Sequence, residues 1–185
     1  MKRFVSLALL LAAPMLFAQQ NAKKLPQNSA AAAKGGFRAE FLADLDEVQK
    51  KIVDLANAVP AEKYTWRPNA DVRSVSEVYM HIAGGNYFLA TFVGAKPPED
   101  MPKEIEKITD KQQVLAALQK SFDHVRMVVK NTSDADFEKP VKLFGNPTTQ
   151  RGVFVTLLNH LHEHLGQSIA YARMNGVTPP WSRKE

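Results

Sequence analysis

Apolar residues recur at helical spacing in four stretches of this chain, and no stretch of strict alternation competes with them. The first predicted helix runs from about Phe37 to Val59, with Phe37, Phe41, Leu45, Val48, Ile52, Leu55 and Val59 on one stripe and Pro60 as its stop. The second is announced by Ser74-Val75-Ser76-Glu77, which fits a capping box with Ser74 as N-cap and Glu77 at the third helical position. Val75, Val78, His81, Ile82, Gly85, Phe88, Leu89 and Phe92 follow on one side, and Gly94 and Pro97-Pro98 end it. The third starts near Thr109-Asp110, carries Val114, Leu115, Leu118, Phe122, Val125 and Val129, and ends near Asn131. The fourth spans about Gln150 to Asn175, with Gly176 placed to cap it and Pro179-Pro180 beyond.

Four amphipathic helices with no strands between them predict an all-α fold, a four-helix bundle. Three connections are long: Pro60 to Arg73, Gly94 to Ile108 and Thr132 to Thr149. Crossings of that length cover one end of a small bundle and can wall a pocket. The last contains Val141-Lys142-Leu143-Phe144, a short extended excursion. No internal repeat is found.

The ends lie outside this pattern. Lys2 and Arg3 precede an apolar run from Phe4 to Phe17, which has the layout of a bacterial signal peptide over residues 1–18. The run is shorter than the ~20 residues a membrane span needs, so cleavage after Ala18 and no stable membrane insertion are expected. Residues 19–36 are polar and low in complexity, including Ala30 to Ala33 and Gly35-Gly36, and read as a flexible arm. Residues 37–185 are then expected to form a single domain, in the periplasm or secreted. The chain has no cysteine, so packing rather than disulfides must hold it, and any thiol chemistry needs a thiol from outside. The net charge is +5, but it comes from lysines interleaved with acids, as in Lys103-Glu104-Ile105-Glu106-Lys107, an ordinary solvated surface. No basic stripe with interleaved aromatics supports nucleic-acid binding.

The candidate chemistry lies in the five histidines. On helical wheels, His160 and His164 share the seam of Val153, Leu157, Ser168 and Tyr171, at the polar edge of the core-facing side. His81 sits amid Val78, Gly85, Phe88 and Phe92, and Gly85 leaves room one turn along. His162 points roughly away from His160, and His124 lies opposite Leu115 and Phe122, toward solvent. A lone inward histidine ordinarily just finds a hydrogen bond. Three neutral imidazoles converging on one point are costly to bury without a shared cation or water. The spacing therefore points to a metal site made of His81, His160 and His164. Other patterns fail on detail. Leu161, not glutamate, follows His160, no helix pairs a glutamate with a histidine three residues on in the di-iron manner, and no elbow glycine motif supports serine catalysis.

Three segments together resemble the DinB/YfiT-like superfamily of metalloenzymes. They are Val78-Tyr79-Met80-His81-Ile82-Ala83, His160-Leu161-His162-Glu163-His164-Leu165-Gly166-Gln167, and Tyr171-Ala172-Arg173-Met174-Asn175-Gly176-Val177-Thr178-Pro179-Pro180. The match runs from roughly Phe37 to Trp181. The resemblance implies a four-helix bundle with a long crossover and a divalent metal, zinc, nickel or iron, held by His81, His160 and His164. His124 and His162 match no ligand position, and Glu163 stands where such proteins often carry a further histidine. Characterised members of this superfamily activate a low-molecular-weight thiol, as transferases or as a maleylpyruvate isomerase, and homodimers are common among them. The expected partners are therefore a small-molecule substrate, a small thiol among the candidates, and a second copy of the chain.

Two functions remain open from the sequence. One is a metal-dependent thiol S-transferase or a hydrolase using water. The other is a non-enzymatic metal- or ligand-binding module on the same bundle. A histidine-rich helix that sequesters metal ranks below both, because a buffering protein would carry more ligands. A general base beside the histidines would mark an enzyme, and Asp44, Glu77 and Glu163 are the candidates. Trp66 and Phe144 are candidate site-lining residues, with Trp66 also suited to anchor its loop on the bundle end.

Overall fold

The computed structural model describes residues 35–182. The expected signal peptide and nearly all of the expected arm lie outside the described residues. The chain order is α1 (Gly36–Ala58), α2 (Val75–Thr91), α3 (Lys111–Asn131), the single turn α4 (Asp134–Phe137), β1 (Pro140–Leu143), β2 (Asn146–Thr149) and α5 (Gln150–Met174). Short 3-10 turns lie at Ala61–Lys63, Ile105–Lys107 and Pro180–Ser182. The four long helices are the bundle that the apolar periodicity predicts. No helix among the described residues is long and apolar enough to cross a membrane.

Local sequence sets the ends of these helices. Ser74 and Glu77 form the capping box: the Glu77 N–H donates to Ser74 Oγ at 3.3 Å, and the Ser74 N–H donates to Glu77 Oε2 at 2.6 Å. Asp110 accepts from the Gln113 N–H at 3.0 Å to start α3. Thr149 does the same for α5 through the Gly152 N–H at 3.2 Å. Beyond α5, Gly176 turns the chain at φ +73°.

The helices pack in a ring in which α1 touches α3 and α5, and α2 touches α3 and α5. Helices α1 and α2 are therefore diagonal, as are α3 and α5. Two of the long connections are long because they cross a diagonal. The third joins the neighbours α2 and α3 and folds back along α2, where its Ile105 is buried. The core between the helices includes Phe41, Leu45, Ile52, Met80, Ile82, Leu118, Phe122, Phe154 and Leu161.

Of the expected excursion Val141-Lys142-Leu143-Phe144, the first three residues lie in β1, paired antiparallel with β2 from Pro140↔Thr149 to Leu143↔Asn146, while Phe144 is not extended but in the turn. Phe144 (φ +51°) and Gly145 (φ +84°) make the two-residue turn, the positive pair a primed hairpin turn requires. A phenylalanine in that region is disfavoured. Its ring packs instead against Phe92 at 5.3 Å and Phe88 at 6.2 Å between centroids. These contacts hold the hairpin over the C-terminal end of α2.

One expectation fails in α3. His124 is buried rather than solvent-facing, with its ring 5.2 Å from that of Tyr87. The buried arc of α3 extends through Ser121 and Val128 as well as Val114, Leu118 and Val125, while Leu115 is only partly buried. The contact between α2 and α3 includes a polar seam, in which Asn86 Nδ2 donates to Ser121 Oγ at 3.0 Å. A reading based on apolar spacing places that seam outside and His124 with it.

Candidate metal centre

Three side chains from two helices meet where α2 and α5 pack. His81 comes from α2, and His160 and His164 come from successive turns of α5. Each offers one ring nitrogen, and these nitrogens all lie within 4.8 Å of one another. Ring centroids are 5.1 Å apart for His81–His160, 4.7 Å for His81–His164 and 4.5 Å for His160–His164. All three are half-buried.

The close approach of the helices depends on Gly85. A Cβ there would stand 2.3 Å from His160 Cε1, so the imidazole occupies the volume a side chain would take. The sequence-level expectation that Gly85 leaves room beside His81 is met, and the ring filling the room is that of His160.

Each ring is held differently. Nδ1 of His81 lies 2.8 Å from Glu106 Oε1, and a carboxylate can only accept, so Nδ1 donates. Nδ1 of His164 lies 2.9 Å from Gln167 Oε1, and Gln167 Nε2 in turn donates to the Tyr171 hydroxyl at 3.1 Å. Both arrangements leave Nε2 as the free nitrogen. His160 Nδ1 is buried without a hydrogen-bond partner.

Electrostatics favours the neutral form of the two α5 rings. His160 is pushed down to about 4, first by burial and then by the neighbouring charges of His164, His81 and Arg73. His164 is lowered, mainly by burial, with its Gln167 hydrogen bond and the charge of Glu163 opposing. Neutral imidazole is the form that ligates a metal. Three converging imidazoles, two with outer nitrogens already engaged and one with an orphaned buried nitrogen, fit a divalent transition metal.

The remaining sequence candidates fall elsewhere. His162 is exposed. Glu77 is committed to its capping box and to Arg67 at 3.0 Å, and Asp44 and Glu163 are exposed. Trp66 is a loop anchor, packed edge-on against Tyr171 at 5.5 Å, with its carbonyl accepting from the Val75 N–H. Phe144 belongs to the aromatic cluster on α2. The carboxylate that does touch the site, Glu106, lies in the segment read from sequence as ordinary solvated surface. Its one signal was Ile105, an apolar residue alone among charges.

A sequence model described as the DinB superfamily matches residues 44–168 of the chain. Among solved structures, a DinB-like protein from Bacillus cereus ATCC 10987 superposes with a TM-score of 0.68 at 18% identity, covering 76% of this chain and 93% of that one. A DinB-like protein from Bacillus subtilis gives 0.64 at 17% identity, covering 79% and 99%. A conserved protein from Enterococcus faecalis gives 0.63 at 14% identity, covering 75% and 96%. At these identities the likeness is one of fold. No protein with a curated description matches the chain.

Proposed function

This chain belongs to the DinB superfamily, and from that premise we propose that it is an exported, divalent-metal-dependent enzyme whose three-histidine site activates a small thiol or water toward a small electrophile. The observation that carries the reading is the convergence of His81, His160 and His164 with the outer nitrogens of two of them engaged. A divalent ion held there would act as a Lewis acid, lowering the pKa of a thiol or water toward neutrality. The protein's own part is to bind through three imidazoles, with Nδ1 of His81 bonded to Glu106 and Nδ1 of His164 to Gln167. The thiol must be exogenous because the chain has no cysteine. The basis for export is Lys2, Arg3 and the apolar run to Phe17.

A binding module without catalysis is the second reading. It is favoured by the fate of the candidate bases, since Glu77 is engaged in its cap and Asp44 and Glu163 are exposed, and by the one carboxylate that touches the site, Glu106, being bonded to His81. Metal analysis of protein isolated from its own host, followed by a thiol-plus-electrophile and hydrolase screen, separates the two. The enzyme reading expects stoichiometric metal, metal-dependent turnover, and loss of both in His81→Ala, His160→Ala and His164→Ala proteins that remain folded. Metal uptake with no turnover across thiol, ester and amide substrates moves the conclusion to the binding module. Absence of metal uptake sinks both.

A further inference from the structure

Glu106 is the residue whose placement the sequence least suggests. It sits in the 3-10 turn Ile105–Lys107, within the connection between α2 and α3. The turn is fixed to α2 by Ile105, which is buried and packs over Gly84, where a Cβ would lie 3.5 Å from Ile105 Cγ2. It is closed by backbone hydrogen bonds from the Lys107 N–H to Glu104 O at 2.9 Å and from the Ile108 N–H to Ile105 O at 3.2 Å. The Glu106 carboxylate is thus delivered by anchored backbone although its side chain is 46% exposed. One oxygen accepts from His81 Nδ1 at 2.8 Å, and the other lies 3.6 Å from Arg73 Nε.

We propose that Glu106 is a positioning residue for the metal centre: it fixes His81 as the Nδ1–H tautomer and turns the Nε2 lone pair toward His160 and His164. The proposal rests on the metal-binding reading above. Its physical basis is that a carboxylate has no proton to give, so its partner must donate and the opposite ring nitrogen must be the acceptor. The three histidines differ in how they are held. His160 is held by shape, against Gly85, and His164 by a neutral amide on its own helix. His81 is held by a negative charge carried on a separate segment. A carboxylate behind a ligating imidazole both orients the ring and strengthens it as a donor.

The test uses the full chain with Glu106→Ala, Glu106→Gln and, as a charge control on the same turn, Glu104→Gln. Zinc affinity is measured by competition with a chromophoric chelator. The His81 tautomer is read in the metal-free protein from long-range nitrogen–proton correlations. Glu106→Ala should weaken zinc binding by about 10–100-fold and release His81 into a mixture of tautomers, with helix content unchanged. Glu106→Gln retains an acceptor and should restore most of the Nδ1–H population and part of the affinity. Glu104→Gln should change neither. Unaltered affinity and tautomer in Glu106→Ala would overturn the proposal, as would an equal loss of affinity in Glu104→Gln, which would make the effect one of bulk charge. Zinc binding that is insensitive to His160→Ala would sink the metal reading instead, while the tautomer measurement would still decide what Glu106 does to His81.

Discussion

At the scale of single residues, the site depends on a missing side chain as much as on three present ones. Gly85→Ala would place a methyl where His160 Cε1 now lies. Alanine is the better helix former by about 1 kcal/mol, so α2 should persist. The ring must swing away, and zinc affinity should fall on the order of tenfold or more, as when a ligand loses its outer support. Calorimetric titration beside a circular dichroism spectrum checks both halves. The depressed histidines also set a pH dependence. His160 titrates near 4 in the fold, against roughly 6.5 when unfolded, and His164 and His124 are lowered too. Between those values the unfolded chain binds protons that the fold refuses, so stability is complete above about pH 6.5 and is lost as pH falls toward 4. Urea midpoints of metal-free protein should follow that course, and His160→Gln should flatten it. A midpoint constant between those pH values would contradict the burial of these rings. The convergence of His81, His160 and His164 was legible because the helical period puts His160 and His164 on one face and His81 on the apolar side of its own helix. Glu106 was not, since it reaches His81 from a connection that has no period. His124 was misplaced because the polar residues around it disguise a buried face.

At the scale of elements, the caps do what the sequence signals. Ser74 is buried, and its hydroxyl both caps α2 and lies 3.2 Å from Ser76 Oγ. Ser74→Ala should cost about 1 kcal/mol, the usual range for a lost N-cap. Chemical denaturation with an unchanged slope would verify it, and a neutral result would mean that the box contributes no net stability. Helix positions were readable to within a few residues, because apolar period, caps and prolines agree. The pairing of helices was not readable. Each long helix presents one apolar stripe whichever neighbour it meets, so the stripes do not reveal that α1 and α2 are diagonal. The hairpin was half legible: of Val141-Lys142-Leu143-Phe144, read as extended, the first three are in β1 and Phe144 is in the turn. Phe144, at positive φ in the turn, departs from the glycine and asparagine such turns prefer, and its packing against Phe88 and Phe92 lies outside what local propensity can reveal.

At the scale of the whole molecule, the far-ultraviolet spectrum of the domain should be dominated by helix, and a strand-rich spectrum would refute the architecture. The class of fold was legible because four amphipathic helices leave few arrangements that bury all their stripes. What the three rings would bind was not, since no local pattern encodes the identity of a small molecule. The contact of α2 with α5 has one more consequence. His81 and the pair His160 and His164 are separated by roughly 80 residues of intervening chain, a long loop for any cross-link to close. An ion shared between them would act as a removable staple in a protein that has no cysteine to make a permanent one. At a free metal concentration a hundredfold above its dissociation constant, the folded state should gain about 2.7 kcal/mol. The melting temperature should rise with metal and fall again with a chelator, so that one equilibrium governs both how long the protein lasts and whether its site is charged.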